Sequence, residues 1–70
     1  MAVFHLQGHP HVDLCDLLKL EGLTESGAQA KIVIEQGLVA VDGAVEYRKR
    51  CKIKAGQKVS FEGNEIQVKA

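Results

Sequence analysis

Between residues 48 and 54 stand five cations, Arg48, Lys49, Arg50, Lys52 and Lys54, and no acid. Clustered cations of this kind bind polyanions by neutralising phosphates and releasing their counterions. A second feature with the same chemistry lies upstream, where Ser26-Gly27-Ala28-Gln29 reads as a helix start. The Ser26 hydroxyl is spaced to take the amide of Gln29, and Gln29 is spaced to reach back. A helix start presents free amides at the positive end of a dipole, and the small Gly27 and Ala28 let a phosphate come close. Lys31 follows one turn on, on the face of Gly27. Asp42-Gly43 sits between two apolar runs, the signal of a two-residue hairpin that ties the helix to the basic run.

The other chemistry-bearing residues point nowhere as clearly. His5, His9 and His11 raise a metal reading. His9 and His11 lack the i, i+4 spacing of a helical ligand pair, and no Cys-x-x-Cys accompanies them. No metal and no other cofactor is expected. Cys15 stands among leucines and reads as a small core residue, since no nearby base or cation would activate it. There is no Gly-x-Ser-x-Gly, no phosphate loop and no pair of carboxylates in an evident cleft. A chain of 70 residues also has little room for a deep pocket. The expectation is a binding module and not an enzyme.

The whole chain bounds this reading. Its length allows one domain, residues 1–70, which buries only about 60% of its unfolded surface. Nine cations balance nine acids, so the formal charge is zero. Distribution matters more than the total. The 48–54 segment carries +5, and the remaining four lysines against nine acids give 4 − 9 = −5. The molecule is bipolar. Met1 is followed by no cationic n-region or long apolar run, so no signal peptide is expected. No apolar run approaches the roughly 20 residues of a membrane span. A cytoplasmic chain with reduced cysteines is the expectation.

The elements that must position these residues follow from pattern. Residues 2–6 alternate, with Ala2, Phe4 and Leu6 on one parity, as in a short strand. Pro10 makes 7–11 a loop. Asp13 can cap a first helix that lays Leu14, Leu17 and Leu18 on a core, the face widened by Cys15 and Leu20. Gly22-Leu23 and Gly37-Leu38 each read as a helix stop in which the leucine folds back, on Leu18 and on Val33. The second helix carries Ala28, Ala30, Ile32, Val33 and Ile34 around much of its circumference and is expected to pack on more than one side. A strict two-residue loop at Asp42-Gly43 pairs Val41 with Ala44 and does not put all three valines on one face, which suggests a longer loop or a bulge. If 48–54 is extended, Arg48, Arg50, Lys52 and Lys54 face outward together while Cys51 and Ile53 anchor the backbone. Val59 and Phe61, then Ile66 and Val68, flank a second hairpin at Gly63-Asn64. The sum is a small α+β domain, two short helices on an antiparallel set of strands.

In order and spacing, Ser26-Gly27-Ala28-Gln29-Ala30-Lys31, then Ile34, Gly37, Val39, Val41-Asp42-Gly43, Lys52-Ile53 and Gly56, this chain resembles the S4 RNA-binding domain. The likeness covers roughly residues 12–61 and is nearest to the small free-standing S4-like proteins of bacteria. It implies an S4-like (αL) fold and RNA binding through the second helix and the hairpin after it. The implied contact set is Ser26, Gly27, Gln29, Lys31, Asp42, Gly43, Arg48, Arg50, Lys52 and Lys54, to which the basic run adds Lys49. Ribosomal RNA is the implied target class, with tRNA or small regulatory RNA as alternatives, bound by a monomer. Three positions depart from the pattern. Gly27 stands where many members carry an arginine, Asp42 replaces the hairpin asparagine, and Gln57 replaces the turn aspartate. Phe4 and Phe61 fall at core parities, which leaves Tyr47 as the lone aromatic near the basic run. Affinity is therefore expected from phosphates and shape, with little base readout and little from Tyr47. The other reading of the same bipolar surface is a protein-interaction adaptor for an acidic partner.

Overall fold

The computed structural model describes residues 2–70. Two helices, α1 (Leu14–Leu20) and α2 (Gly27–Glu35), pack on a five-stranded sheet. The strands are β1 (Ala2–His5), β2 (Val12–Asp13), β3 (Val39–Val41), β4 (Ala44–Val45), β5 (Lys52–Ile53), β6 (Lys58–Phe61) and β7 (Asn64–Lys69). The main sheet has the order β1-β7-β6-β3-β4, and β2 pairs with β5 apart from it. All pairings are antiparallel except one: β1 runs parallel to β7, with Phe4 opposite Val68. The core gathers Leu14, Leu17 and Leu18 of α1, Ala30 and Ile34 of α2, and Val39, Val59, Ile66 and Val68 of the sheet.

Both helix stops form as the glycines dictate. Leu23 N–H donates to Leu18 O and Gly22 N–H to Lys19 O, each at 3.0 Å, and Leu38 and Gly37 repeat the pair on Val33 and Ile34 at 3.2 and 3.0 Å. This double bond satisfies carbonyls that the helix leaves free, and it requires the left-handed φ of +73° at Gly22 and +78° at Gly37.

Several expectations are corrected. The Asp42-Gly43 turn is the strict two-residue loop, with positive φ at both residues and Val41 opposite Ala44, so no bulge is needed. Its cost is that Val45 faces solvent. The second hairpin turns at Glu62-Gly63, one residue earlier than expected, and Asn64 already pairs with Phe61. Leu20 is 60% exposed and does not widen the core face of α1. Helix α2 buries Ala30, Val33 and Ile34 but leaves Ala28 and Ile32 exposed, so it packs on one side only. Of the first strand's expected inward parity, Leu6 is buried, Phe4 half-buried and Ala2 exposed.

Candidate nucleic-acid interface

The basic segment is held by backbone. The first amides of a helix have no partner within it. In α1 the Leu14 amide donates to Cys51 O at 2.9 Å and the Cys15 amide to Lys49 O at 3.1 Å. Asp13 makes no side-chain cap, contrary to expectation, because the loop already supplies an acceptor to the Cys15 amide. The loop itself closes through Cys51 N–H to Arg48 O at 3.2 Å. Beyond it β5 pairs with β2, placing Lys52 opposite Asp13. The 48–54 segment is thus not one extended run. Arg48 to Cys51 form a turn, and only Lys52-Ile53 is strand, with Lys52 exposed and Ile53 fully buried.

This loop lies lengthwise along α2. Tyr47 touches Gly37 at the helix's C-terminal end. Lys49 Nζ is 3.3 Å from Glu35 Oε1. Arg50 lines a surface depression together with Gly27, Ala28 and Lys31 at the N-terminal end. The chain therefore retraces the helix from its end to its start, and sets its cations beside the helix amides. The Gly27 and Ala28 amides have no hydrogen-bond partner among the described residues.

Three of the five cations are already engaged. Arg48 binds Glu46 in a two-pronged pair, Nε to Oε2 and Nη2 to Oε1, both 3.0 Å. Its own amide donates to Glu46 Oε2 at 3.0 Å. The side-chain bonds first, then the amide, hold the Glu46 carboxyl down at a pKa of about 2, and the carboxylate in turn raises that of Arg48. Arg50 Nε reaches Asp13 Oδ2 at 3.2 Å. Lys31, Lys52 and Lys54 have no ion-pair partner among the described residues.

Two adjoining depressions result, with Arg50 common to both. One is lined by Arg48, Arg50, Cys51, Lys52 and Lys54, four cations and no acid. The other is lined by Gly27, Ala28, Lys31 and Arg50, but also by Asp13, Cys15 and Asp16. The helix-start depression is therefore close to neutral, and the positive potential concentrates beside β5.

The chain matches the S4 domain family model over residues 4–69. It belongs to the S4 domain family. YbcJ of Escherichia coli (strain K12) and YbcJ of Shigella flexneri are each 71% identical to it over 70 residues, the whole of both chains. The solution structure of Escherichia coli YbcJ aligns with a TM-score of 0.78, covering 100% of this chain and 89% of that one. That structure is described as revealing an αL motif involved in RNA binding, and this chain shares the fold.

Within this S4 domain, several expected contact residues are occupied by structural work. Ser26 Oγ accepts from the Gln29 amide at 3.1 Å. Gln29 Oε1 accepts from the Glu25 amide at 2.7 Å, one residue before the expected partner. Asp42 Oδ1 accepts from the Lys58 amide at 2.9 Å while the Asp42 amide donates to Lys58 O at 2.8 Å. That double bond pins the β3–β4 turn to the start of β6, and Asp42 and Gly43 line neither depression. Gln57, in place of the turn aspartate, closes its turn by accepting from the Lys54 amide at 2.7 Å. The structure brings together Gly27, Lys31, Arg48, Arg50, Lys52 and Lys54. Lys49 turns aside to Glu35.

Sequence reasoning missed Asp13, Asp16 and Glu46 as parts of this surface. Asp13 is 37 positions from Arg50, and no local signal links them. Glu46 and Arg48 share a strand parity, so that pair was open to the period-2 rule. Both cysteines are free, Cys15 buried and Cys51 half-buried. Burial first, then the Glu46 charge, push the Cys51 thiol up, which disfavours a reactive thiolate. Among the described residues no group of three or more His, Cys, Asp or Glu could hold a metal ion. No helix among them is long and apolar enough to cross a membrane.

Proposed function

We propose that this S4 domain binds structured RNA, ribosomal RNA foremost, through phosphate and shape contacts, acting as a cytoplasmic monomer without catalysis. The observation that carries this reading is the depression lined by Arg48, Arg50, Lys52 and Lys54, whose backbone is fixed on α1 and β2. Fixed cations lose less conformational entropy on meeting phosphates than cations on a mobile tail. The free amides at the start of α2, with Lys31 and Arg50, offer a second and weaker phosphate contact. Helical RNA presents phosphates and 2′-hydroxyls rather than readable major-groove edges, which suits a surface built of cations. The kinship to YbcJ supports the same class of ligand.

The test is equilibrium binding of the purified protein to a ribosomal RNA junction, a tRNA and a single strand of equal length. The structured RNAs should bind more tightly. Crosslinking in cells followed by sequencing of bound RNA then identifies the target. Failure to bind any RNA at low salt, with capture of an acidic protein instead, would replace this reading with an adaptor.

A further inference from the structure

We infer that Tyr47 is a stacking platform for one unpaired nucleobase of the bound RNA. The inference rests on the RNA-binding reading and adds to it a site outside the phosphate contacts.

Tyr47 is 62% exposed, yet it is not loose. A Cβ at Gly37 would lie 3.1 Å from Cε1 and 3.3 Å from the phenolic oxygen, so the ring packs closely over the bare face of this glycine. Both chain neighbours are tied down. The Glu46 amide donates to Val39 O at 3.0 Å, and Arg48 is held to Glu46 through its amide and its guanidinium. The phenol makes no hydrogen bond among the described residues, and the ring takes no part in the core. An aromatic ring held at its base, open to solvent and unused in folding is pre-organised to receive another flat surface.

Its place on the track decides what that surface is. Tyr47 lines neither depression; it precedes Arg48 in the chain and packs by Gly37, at the end of the loop opposite to Arg50 and the start of α2. RNA whose phosphates follow the cations brings its next nucleotide to Tyr47. A base inside a duplex cannot offer its face, so the occupant is a bulged, looped or junction base beside a stem. Every base has a π-face, so such a stack tolerates any sequence and needs no base readout, but it departs from the expectation, drawn from the sequence, that Tyr47 contributes little. The other aromatics cannot serve, since Phe61 is buried and Phe4 packs against the core.

Tyr47 is the only tyrosine and the chain has no tryptophan, so its fluorescence reports this one site. The experiment titrates the protein with an RNA hairpin carrying one bulged uridine and with the same hairpin abasic at that position. Affinity is read separately from the polarisation of the labelled RNA. Tyrosine emission should be quenched in step with binding of the bulged hairpin and not by its abasic twin. Tyr47→Leu should weaken binding by about 5- to 150-fold, the range one base–aromatic stack contributes, and Tyr47→Phe should retain it. RNA that binds without quenching, with Tyr47→Leu as tight as the wild type, overturns the platform and leaves the RNA-binding reading standing. RNA that does not bind at all by polarisation overturns both.

Discussion

Glu46 grips Arg48 with both carboxylate oxygens and also takes its backbone amide, three bonds of 3.0 Å between residues two apart. The pair shapes the entry to the basic loop and spends one of its cations on an internal partner. A carboxyl held near pKa 2, below its ordinary 4.5, adds stability that is complete above the ordinary value. That contribution is lost as pH falls from about 4.5 to about 2. An NMR titration should show the Glu46 carboxyl still ionised at pH 3.5. In Glu46→Gln, stability should be flatter across the same window; an unchanged acid profile in that variant would rule the pair out as its source.

Charge substitution should separate the unpaired cations from the paired ones. Lys52→Gln with Lys54→Glu should abolish most RNA affinity and leave the circular dichroism and melting curve nearly unchanged, glutamine being chosen because Lys52 lies opposite Asp13. Exposed substitutions away from special features stay within about 0.5 kcal/mol. Arg48→Glu with Arg50→Glu should also abolish binding, but with a visible loss of stability, because new acids would face Glu46 and Asp13. Wild-type affinity in the folded Lys52/Lys54 variant would remove the depression beside β5 from the interface.

Much of this architecture was legible beforehand, for identifiable reasons. The capping serine, the paired glycine-leucine stops and the alternation of Val59, Phe61, Ile66 and Val68 are local codes, and each element forms where its code lies. Whether the basic segment is extended is left open by parity, which cannot register a carbonyl requirement at the distant α1 start. The bonds to Leu14 and Cys15 bend it into a turn. Ile32 and Leu20 read as core residues but are exposed, because an apolar residue carries no mark of exposure on a helix this short. The electrostatics were half visible: the cations are a sequence block, while Asp13, which orients Arg50, is remote in the chain.

Gly27→Arg should tighten RNA binding. A Cβ at this position meets nothing within 4 Å, so the backbone accepts a side chain, and arginine restores the cation that many S4 domains carry there. It should cost about 0.3–1 kcal/mol of stability, since a positive charge at a helix start opposes the dipole. Filter binding and thermal melting check both. Weaker binding instead would mean that the RNA backbone approaches Gly27 closely enough to exclude a side chain.

Gly37→Ala should be destabilising for two reasons that can be parted. The φ of +78° costs an L-residue about 1–2 kcal/mol, and the new Cβ strikes the Tyr47 ring. Replacing Tyr47 by alanine in the same chain should remove the second part and keep the first. Denaturant unfolding of the two single variants and the double variant measures the coupling. Strict additivity would mean that the ring is free to move away.

Binding should weaken with salt at a log–log slope of about −3 to −4, from roughly four phosphate contacts at −0.9 each. Hairpins, junctions and duplexes should compete better than an unstructured strand of the same length at both 50 and 200 mM salt. A shallow slope with preference for the unstructured strand would place recognition on bases instead.

The parallel pairing of β1 with β7 has a consequence for how the chain acquires its shape. The amide of Leu6 donates to Lys69 O at 2.8 Å, and His5 lies near Ala70, 65 positions away. β1 therefore has no sheet neighbour until residues 66–69 have emerged from the ribosome. At synthesis rates of about 5–20 residues per second, it waits for several seconds with an unsatisfied edge. The helices and the β3–β4 hairpin are local, whereas the β1–β7 pairing joins residues 64 positions apart, a contact of the slow, long-range kind. The basic loop, bonded to α1 and β2, needs the chain only as far as residue 54 and does not have to wait for β7.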